Sequence, residues 1–148
     1  MAPLSPMHSV SVVAAVVNDA GEVLAIRRAD NGNWAPPGGV LELEETILEG
    51  LVREVLEETG VRIVPVRLTG AYKNMARKVI ELCFYCRVED GSPRPTHEAV
   101  EVRWLRPDEI LQRMNQALGM RVLDALTDGP PAVRVHDGTV LLSERGIG

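Results

Sequence analysis

The segment from Gly38 to Val61 reads GGVLELEETILEGLVREVLEETGV, and it places glycines and charged residues at fixed spacings. The spacing is G-x5-E-x7-R-E-U-x-E-E-x-G-U, where U is an apolar residue. Its defined polar and glycine positions are filled by Gly39, Glu45, Arg53, Glu54, Glu57, Glu58 and Gly60. A chance match of every defined position has odds on the order of 10⁻⁶ at this chain's own composition. The pattern therefore carries specific information about fold and function.

The same segment carries the signals of a helix. Thr46 is a good N-cap residue, and Glu49 three positions later completes a capping box. Gly60 is suited to end the helix in the left-handed conformation. At about 100° per residue, the apolar residues form one stripe along the helix. This stripe predicts the face of the helix that is buried in the core. Its members are Leu48, Leu51, Val52 and Val55, with Ile47 and Leu56 at the margins.

Glu54, Glu57 and Glu58 share another face of this helix, three and four positions apart. Like charges at this spacing repel by roughly 0.2–0.5 kcal/mol per pair, and the helix dipole disfavours anions in the last turn. Gly50 costs about another 1 kcal/mol relative to Ala, and it is expected to leave room beside the carboxylates. Hard divalent cations with oxygen ligands would offset the repulsion. A metal site is therefore favoured over a merely solvated acidic surface.

This segment resembles the Nudix box, the signature of the Nudix hydrolases, at every defined position. The resemblance implies an α/β fold, a Nudix-type α/β/α sandwich with a mixed β-sheet, and covers about Val10 to Leu126. It also implies Mg²⁺ or Mn²⁺ as the cofactor, bound together with a polyphosphate. The irregular alternation of strand and helix signals, with antiparallel turns among them, favours the same architecture.

The resemblance also assigns the metal ligands within the box. Glu57 and Glu58 would be the principal ligands, together with the main-chain carbonyl of Gly39. Glu54 would be a further ligand or the general base that accepts a proton from the attacking water.

Other residues would support this site. By the same resemblance, Arg53 pairs with Glu45 and holds the box loop against the helix, so both are mainly architectural. Outside the box, Glu98 resembles a late acidic residue that some members use as a metal ligand or base. Glu101 is the alternative, and both precede Trp104. We expect Glu98 to have this role.

The implied substrate is a nucleoside diphosphate linked to another group, cleaved at a phosphoanhydride bond. The family resemblance associates a proline about fifteen residues past the box with specificity for ADP-ribose. This proline is missing, because Ala76 and Arg77 stand there. Lys78 lies near the place of a tyrosine that suggests dinucleoside polyphosphates. A nucleoside triphosphate pyrophosphohydrolase is therefore preferred, with ADP-ribose or nucleotide-sugar pyrophosphatase as the alternative among the enzymes.

Two other classes of protein share this fold. Nudix-like nucleotide-sensing or protein-binding modules usually lose box glutamates, whereas this chain keeps all of them. A Nudix-fold isoprenoid isomerase would need a catalytic cysteine. Cys83 and Cys86 lie in the strand-like sequence CFYC, and residues three apart on a strand face opposite sides. We predict two buried apolar cysteines that neither bridge nor chelate.

The whole chain has 148 residues, 45% of them hydrophobic and 25% charged, with a formal charge of −5. This predicts one globular domain over residues 1–148, with a loose arm at 1–8 and a hairpin extension at 130–148. The acidic balance argues against binding a nucleic-acid polymer. No run approaches the ~18 apolar residues of a membrane span, and the start, MAPLSPMHS, has no basic region. A cytoplasmic protein is expected.

Outside the box, the chain shows strand signals at 10–17, 23–27, 61–68 with a possible extension to Tyr72, 79–88 and 101–105. Helices are expected at 107–116 and 118–126, and a polar loop at 28–33. Lys73–Lys78 (KNMARK) is a basic loop that could contact substrate phosphates or form a solvated hairpin turn. Ala132–Leu142 predicts a hairpin around Asp137-Gly138. It could pack on its own sheet or on a second subunit, and the homodimer is slightly preferred.

Overall fold

The computed structural model describes residues 5–143. Residues 5–8, which belong to the predicted N-terminal arm, are exposed and lie outside the strands and helices. The rest of that arm, residues 1–4, and the end of the predicted C-terminal extension, residues 144–148, lie outside the described part of the chain.

Strands and helices alternate irregularly along the chain. The strands are β1 (Ser9–Val17), β2 (Val23–Arg28), β3 (Trp34–Ala35), β4 (Gly38–Val40), β5 (Arg62–Asn74), β6 (Val79–Asp90), β7 (Ala99–Leu105), β8 (Ala132–His136) and β9 (Leu141–Leu142). The helices are α1 (Ile47–Thr59), α2 (Ile110–Arg113) and α3 (Gln116–Ala125), with a 3-10 turn at Pro107–Glu109. None of the helices between residues 5 and 143 is long and apolar enough to cross a membrane.

The strands form one mixed sheet in the order β3-β2-β1-β6-β5-β8-β9. Beside this path, β4 pairs with β1 and β7 pairs with β2. The pairs β1–β6 and β5–β8 are parallel, and the others are antiparallel.

The central strand β1 divides the core between the two faces of the sheet, because successive side chains of a strand point to opposite sides. On one face, alternate β1 residues pack with α1; they are Val12, Ala14 and Val16. On the other face, Val17 and Val23 pack with apolar residues of α2 and α3. Helices cover both faces, so the predicted α/β/α sandwich is confirmed.

Helix α1 begins and ends where the sequence predicts. Thr46 Oγ1 accepts a hydrogen bond from the Glu49 N–H at 3.2 Å, and the Glu49 carboxylate accepts one from the Thr46 N–H at 3.1 Å. Gly60 has a φ of 79° and donates its N–H to the Leu56 carbonyl. Both caps are local, so the sequence alone specifies them.

The buried side of α1 differs from the predicted stripe. Leu51 and Val55 are fully buried as expected, but Leu48 is 48% exposed and Glu58 only 4% exposed. The helix is rotated so that part of its acidic side turns inward. On this inward side, the Glu58 carboxylate accepts a hydrogen bond from the Gly38 N–H.

Two short strands have no signal in the sequence. β3 and β4 have only two and three residues, so they show no periodicity, and pairing with β2 and β1 determines them. The basic loop is also shorter than predicted, because Lys73 and Asn74 belong to β5. The Asn74 side chain accepts hydrogen bonds from the N–H groups of Ala76 and Arg77 and so closes the turn. Lys78 completes the turn with a φ of 59°.

The predicted helix over 107–116 is wrong at its C-terminal end. α2 ends at Arg113, and Met114 is extended. Asn115 is the N-cap of α3, and its side chain accepts a hydrogen bond from the Leu118 N–H at 2.9 Å. α3 therefore starts at Gln116 rather than Leu118.

The two cysteines behave as predicted. Cys83 and Cys86 are both free and buried on β6. Cys83 packs with Val13 and Tyr72, whereas Cys86 belongs to the core on the α1 side. They therefore face opposite sides of the sheet. Burial raises the pKa of the Cys83 thiol to about 11, which disfavours the reactive thiolate.

The predicted C-terminal hairpin is present. Asp137 Oδ1 accepts hydrogen bonds from the N–H groups of Thr139 and Val140 at 2.9 and 3.0 Å, which closes the turn. β8 pairs in parallel with β5 between Gly70 and Asn74. The slight preference for a second subunit as the packing partner of this hairpin is wrong, because β5 provides the hydrogen-bonding edge within the same chain. The homodimer itself stays a prediction.

A buried charged cluster also ties the hairpin to the domain. His136 is fully buried, and its Nε2 lies 2.5 Å from Glu81 Oε1 and 3.3 Å from Arg121 Nη2. Glu81 and Arg121 form an ion pair at 2.6 Å. The cluster connects β8 to β6 and to α3, on the face of the sheet opposite α1.

We expect a chain truncated after Gly129 to be less stable than the full chain. The truncation removes the parallel partner of β5 and takes His136 from Glu81. The free energy of unfolding should fall by roughly 3 kcal/mol or more, the size seen when a buried charged group loses a partner. Urea unfolding measures this difference. Val133→Ala is the control, because Val133 on β8 is 71% exposed and should tolerate the change.

An unchanged urea midpoint after truncation would contradict the packing described for the hairpin. Light scattering on the same two proteins tests the expected homodimer independently of their stability. Because the hairpin packs on its own chain, the truncation should leave the subunit number unchanged.

Candidate active site

The glycines at the start of the box bring β4 against both β1 and α1. In the register of the sheet, Gly38 and Gly39 lie opposite Val13 and Val12. A side chain on Gly38 would place its Cβ 2.3 Å from the Val12 carbonyl oxygen. The Gly38 N–H donates a 2.9 Å hydrogen bond to Glu58 Oε1. This bond joins the end of α1 to the start of the box and gives the buried Glu58 carboxylate a partner.

Gly39 lies directly against the carboxyl group of Glu54. A Cβ at Gly39 would be 2.5 Å from the Glu54 carboxyl carbon, well inside ordinary contact distance. The main chain of Gly39 therefore borders this carboxylate, and a side chain at this position would displace the Glu54 carboxyl group. The close approach of backbone to the acidic face, expected from the sequence, is present.

Gly50 has a different structural role from the one that the sequence predicts. A Cβ at this position would lie 2.5 Å from Leu41 Cδ1 and 2.8 Å from Glu45 Oε1. The loop of the box thus fills the space beside Gly50. The expectation that Gly50 leaves room for a ligand is wrong, because it makes room for Leu41 and Glu45.

Arg53 lies among the carboxylates of the box. Its Nε donates to Glu45 Oε2 at 2.8 Å, and Nη2 contacts the other oxygen of the same carboxylate. Its Nη1 donates to Glu54 Oε1 at 3.0 Å and to Glu57 Oε2 at 3.2 Å. The pair with Glu45 is the one the sequence predicts. The contacts with Glu54 and Glu57 show that the same guanidinium also orients two candidate ligands.

The pair formed by Glu45 and Arg53 stays charged over a wide pH range. The hydrogen bonds from Arg53 lower the pKa of Glu45 to about 2, helped by the Glu42 N–H. In return, the hydrogen bond to Glu45 raises the pKa of Arg53 above its usual range. A permanently charged, bidentate pair is suited to holding the loop on the helix.

Burial and neighbouring carboxylates disfavour the charged forms of two glutamates of α1. Burial raises the pKa of Glu58 to about 8, against the opposing hydrogen bond from Gly38, and the charges of Glu54 and Glu98 add to the shift. Burial also raises the pKa of Glu54, where Arg53 opposes the shift and the neighbouring carboxylates reinforce it. A positive ion between these groups would stabilise their charged forms.

Glu98 joins this group from the segment between β6 and β7. Its charge acts on the pKa values of Glu54, Glu58 and Arg28, so it is an electrostatic neighbour of all three. Its backbone carbonyl accepts a 3.0 Å hydrogen bond from the Ala29 N–H. The sequence alone could not place Glu98 here, because 40 residues separate it from Glu58.

Glu101, the alternative to Glu98, is engaged elsewhere. It lies on β7 and pairs with Arg27 at 2.8 Å and with Arg103 at 3.3 Å. Both are partly exposed ion pairs between side chains of the β2–β7 ladder. This arrangement favours Glu98 as the late acidic residue.

Arg28 is a candidate that sequence reasoning missed, because a single arginine at the end of a strand has no distinctive spacing. Its side chain is 43% exposed and forms a fork on Asp30 with bonds of 2.9 and 2.7 Å. The bond to Asp30 raises the pKa of Arg28, and Glu58 and Glu98 contribute to the shift. A partly exposed guanidinium beside the carboxylates is suited to bind phosphate oxygens.

Within residues 5–143, no three His, Cys, Asp or Glu side chains converge closely enough to hold a metal ion as they stand. Arg53 holds Glu54 and Glu57, and the Gly38 N–H holds Glu58, so these oxygens are directed towards protein partners. The donor chemistry nevertheless fits Mg²⁺ or Mn²⁺, which prefer carboxylate and carbonyl oxygens. The side-chain-free approach at Gly39 and the repulsion among the glutamates both suit such an ion.

Comparison with known proteins extends over most of the chain. The sequence model of the NUDIX domain matches residues 7–126. The chain is 51% identical over 137 residues to a MutT-like protein from Streptomyces ambofaciens, covering 93% of this chain and 89% of that protein. It is 32% identical over 110 residues to the phosphatase NudJ of Escherichia coli K12, covering 70% of this chain and 72% of NudJ.

Solved structures resemble the fold as well. An ADP-ribose pyrophosphatase from Streptococcus suis superposes with a TM-score of 0.71 at 20% identity. The match covers 88% of this chain and all of that one. At this identity, the likeness concerns the fold alone.

Arg53→Ala should impair catalysis by misplacing the loop that carries Glu45, and with it the adjoining strand β4 and Gly39, rather than by weakening substrate binding. Glu45, Glu54 and Glu57 would lose their shared cation. We expect kcat to fall by about 100-fold, as for a displacement of about 1 Å in an active site, with KM changed far less. Arg53→Lys should be intermediate, because an ammonium cannot form the fork. Steady-state kinetics on a nucleotide substrate measure both parameters.

Arg106→Ala is the matched control, because Arg106 pairs with Asp108 on the surface and its side chain is 66% exposed. A crystal structure of Arg53→Ala with Gly39 and the Glu45 loop unmoved would contradict the proposed cause of the effect, whatever the kinetics.

The stabilising effect of the pair should also depend on pH. Glu45 has a lower pKa in the folded protein than its usual 4.5. Its contribution is therefore present above pH 4.5 and is lost as the pH falls through about 2. The difference in free energy of unfolding between the natural protein and Glu45→Gln should be largest near neutral pH and shrink in acid. Urea unfolding between pH 3 and pH 7 tests this, and a difference independent of pH would contradict it.

Proposed function

The chain belongs to the Nudix hydrolase family, and we propose that it is a divalent-metal-dependent nucleoside triphosphate pyrophosphohydrolase. Such an enzyme adds water across the phosphoanhydride bond between the α and β phosphorus atoms and releases a nucleoside monophosphate and pyrophosphate. The observation that carries the proposal is the group of carboxylates at Glu54, Glu58 and Glu98 beside the side-chain-free backbone of Gly39.

The residues proposed to hold Mg²⁺ or Mn²⁺ are Glu54, Glu57 and Glu58, with the Gly39 carbonyl and Glu98 as further ligands. When bound, the ion would neutralise phosphate oxygens and help to activate water. The chain itself orients these groups. Arg53 fixes Glu54 and Glu57, and the Gly38 N–H fixes Glu58.

The remaining tasks are proton transfer and phosphate binding. Glu98 or Glu54 would accept the proton of the attacking water, and both carboxylates lie in the same electrostatic group. Arg28 would bind a phosphate oxygen, since Asp30 holds its partly exposed guanidinium beside the carboxylates. Glu45 and Arg53 keep the loop in place and do not contact the reacting atoms.

The choice of a triphosphate rests on the absence of the residues associated with the other substrates. Ala76 and Arg77 occupy the position of the proline associated with ADP-ribose. ADP-ribose is the rival substrate, as the alternative that the Nudix box leaves open among the enzymes. A non-catalytic sensing module would bind nucleotide without turnover, and the complete set of box glutamates argues against it.

A nucleotide panel with Mg²⁺, Mn²⁺ or excess chelator tests the proposal. Pyrophosphate release from triphosphates would support it, provided that the chelator abolishes the release. AMP and ribose 5-phosphate formed from ADP-ribose, with triphosphates left intact, would replace the proposed substrate with the rival. Binding without any product would indicate the sensing module.

Glu57→Gln and Glu58→Gln should each lower kcat by about 100- to 1,000-fold, the equivalent of losing several kcal/mol of charge stabilisation. Both variants should remain folded, because each keeps the size of the side chain. Millimolar Mg²⁺ should raise the melting temperature of the natural protein and raise it less in the variants. Glu44→Gln is the control, since Glu44 is an exposed glutamate of the preceding loop. Near-normal turnover in both variants would remove these residues from the metal site.

A further inference from the structure

The segment that carries Glu98 into the site is anchored at only a few points. It runs between the end of β6 at Asp90 and the start of β7 at Ala99, outside the strands and helices. His97 and Glu98 are exposed, whereas Thr96 is partly buried. The position of the Glu98 carboxylate therefore depends on the bonds made by its neighbours.

Thr96 provides the anchor on the side of α1. Its hydroxyl donates a 3.0 Å hydrogen bond to the Glu58 carbonyl and accepts a 3.1 Å bond from the Ala99 N–H. The Thr96 N–H donates to the Ala99 carbonyl at 2.9 Å, which closes a turn around Glu98. One side chain thus joins the turn of Glu98 to the residue that supplies a candidate ligand.

The carbonyl groups at the end of α1 explain why the segment between β6 and β7 attaches there. The last carbonyls of a helix have no partner within the helix. The Thr96 hydroxyl binds the carbonyl of Glu58, and the Arg94 N–H binds that of Thr59 at 2.9 Å. Only the first of these bonds involves a side chain, so only Thr96 can be altered by substitution without changing the backbone.

A second anchor holds the other side of Glu98. The Ala29 N–H donates to the Glu98 carbonyl at 3.0 Å, and Ala29 directly follows Arg28. Glu98 is thus fixed between the strand end that carries Arg28 and the helix end that carries Glu58. The effect of its charge on both residues agrees with this placement.

We propose that Thr96 is a positioning residue, whose hydroxyl places the Glu98 carboxylate against the carboxylates of α1. The inference rests on the proposed function, because it gives Thr96 a role through the metal or proton chemistry of Glu98. A merely structural Thr96 would stabilise the end of α1 whether or not Glu98 has a carboxylate. The two roles differ in how substitutions at 96 and 98 combine.

The test is a double-mutant cycle with Thr96→Val and Glu98→Gln. Valine keeps the shape of threonine and removes the hydroxyl. We expect Thr96→Val to lower kcat about 10- to 100-fold with little change in KM, since small displacements in a site have effects of this size. Thr96→Ser keeps the hydroxyl and should restore most of the activity. In the Glu98→Gln background, Thr96→Val should have no further effect.

Thr127→Val is the matched control. The Thr127 hydroxyl donates a 2.9 Å bond to the Leu123 carbonyl near the end of α3, so the substitution removes the same kind of bond from another helix. It should leave kcat unchanged. Circular dichroism of each variant verifies folding, and Thr96→Ala serves as the second variant if valine is not tolerated.

The same double-mutant cycle can be measured independently of turnover. Electron paramagnetic resonance without substrate gives the Mn²⁺ binding of each variant. Thr96→Val should weaken Mn²⁺ binding in the natural background and leave it unchanged in the Glu98→Gln background. An equal effect in both backgrounds, or no effect of Thr96→Val, would overturn the inference. If the natural protein turns over no nucleotide, the proposed function fails, and the Mn²⁺ cycle alone then decides the role of Thr96.

Discussion

The guanidinium of Arg53 lies among three carboxylates of the box, and the arrangement of the site depends on that one cation. Glu45, Glu54 and Glu57 come from a loop and from successive turns of α1, and each contacts Arg53 at about the distance of a charge-assisted hydrogen bond. Without it, the loop and the helix would present only negative charge to each other. The planar fork lets one residue bind one carboxylate with two nitrogens and still reach two others.

The charges of the site come from segments that are distant in the sequence but are joined by backbone hydrogen bonds. The Gly38 N–H binds Glu58, the Ala29 N–H binds the Glu98 carbonyl, and Thr96 binds the Glu58 carbonyl. The bonds from Gly38 and Thr96 both end on Glu58 in the C-terminal half of α1, where the helix dipole is least favourable for anions, and the bond from Ala29 holds Glu98 next to Arg28. The fold thus concentrates acidic groups at a place where they are costly, which is characteristic of functional sites rather than of stable surfaces.

The sequence predicts best those structural features that neighbouring residues determine. The caps of α1, the burial of the two cysteines and the tail hairpin all follow from nearby residues. The misses depend on partners far along the chain. β3 and β4 exist because β2 and β1 pair with them, and the buried Glu58 carboxylate has its partner in the Gly38 N–H, 20 residues earlier. In the site, spacing identifies the glutamates of α1, but neither Arg28 nor Thr96 belongs to a pattern that spacing reveals.

The parallel pairing of β5 with β8 has a consequence for the order of events during synthesis. The last residue of β5 and its partner on β8 are separated by about 60 residues. At ordinary rates of chain elongation, β5 is complete for about 3–12 s before β8 exists. For that time, a nascent chain presents an unpaired strand edge, which is the kind of surface on which strands of other molecules add. Solubility during expression therefore depends on the arrival of the C-terminal strand, and slow or interrupted translation of the last quarter of the message would favour aggregation.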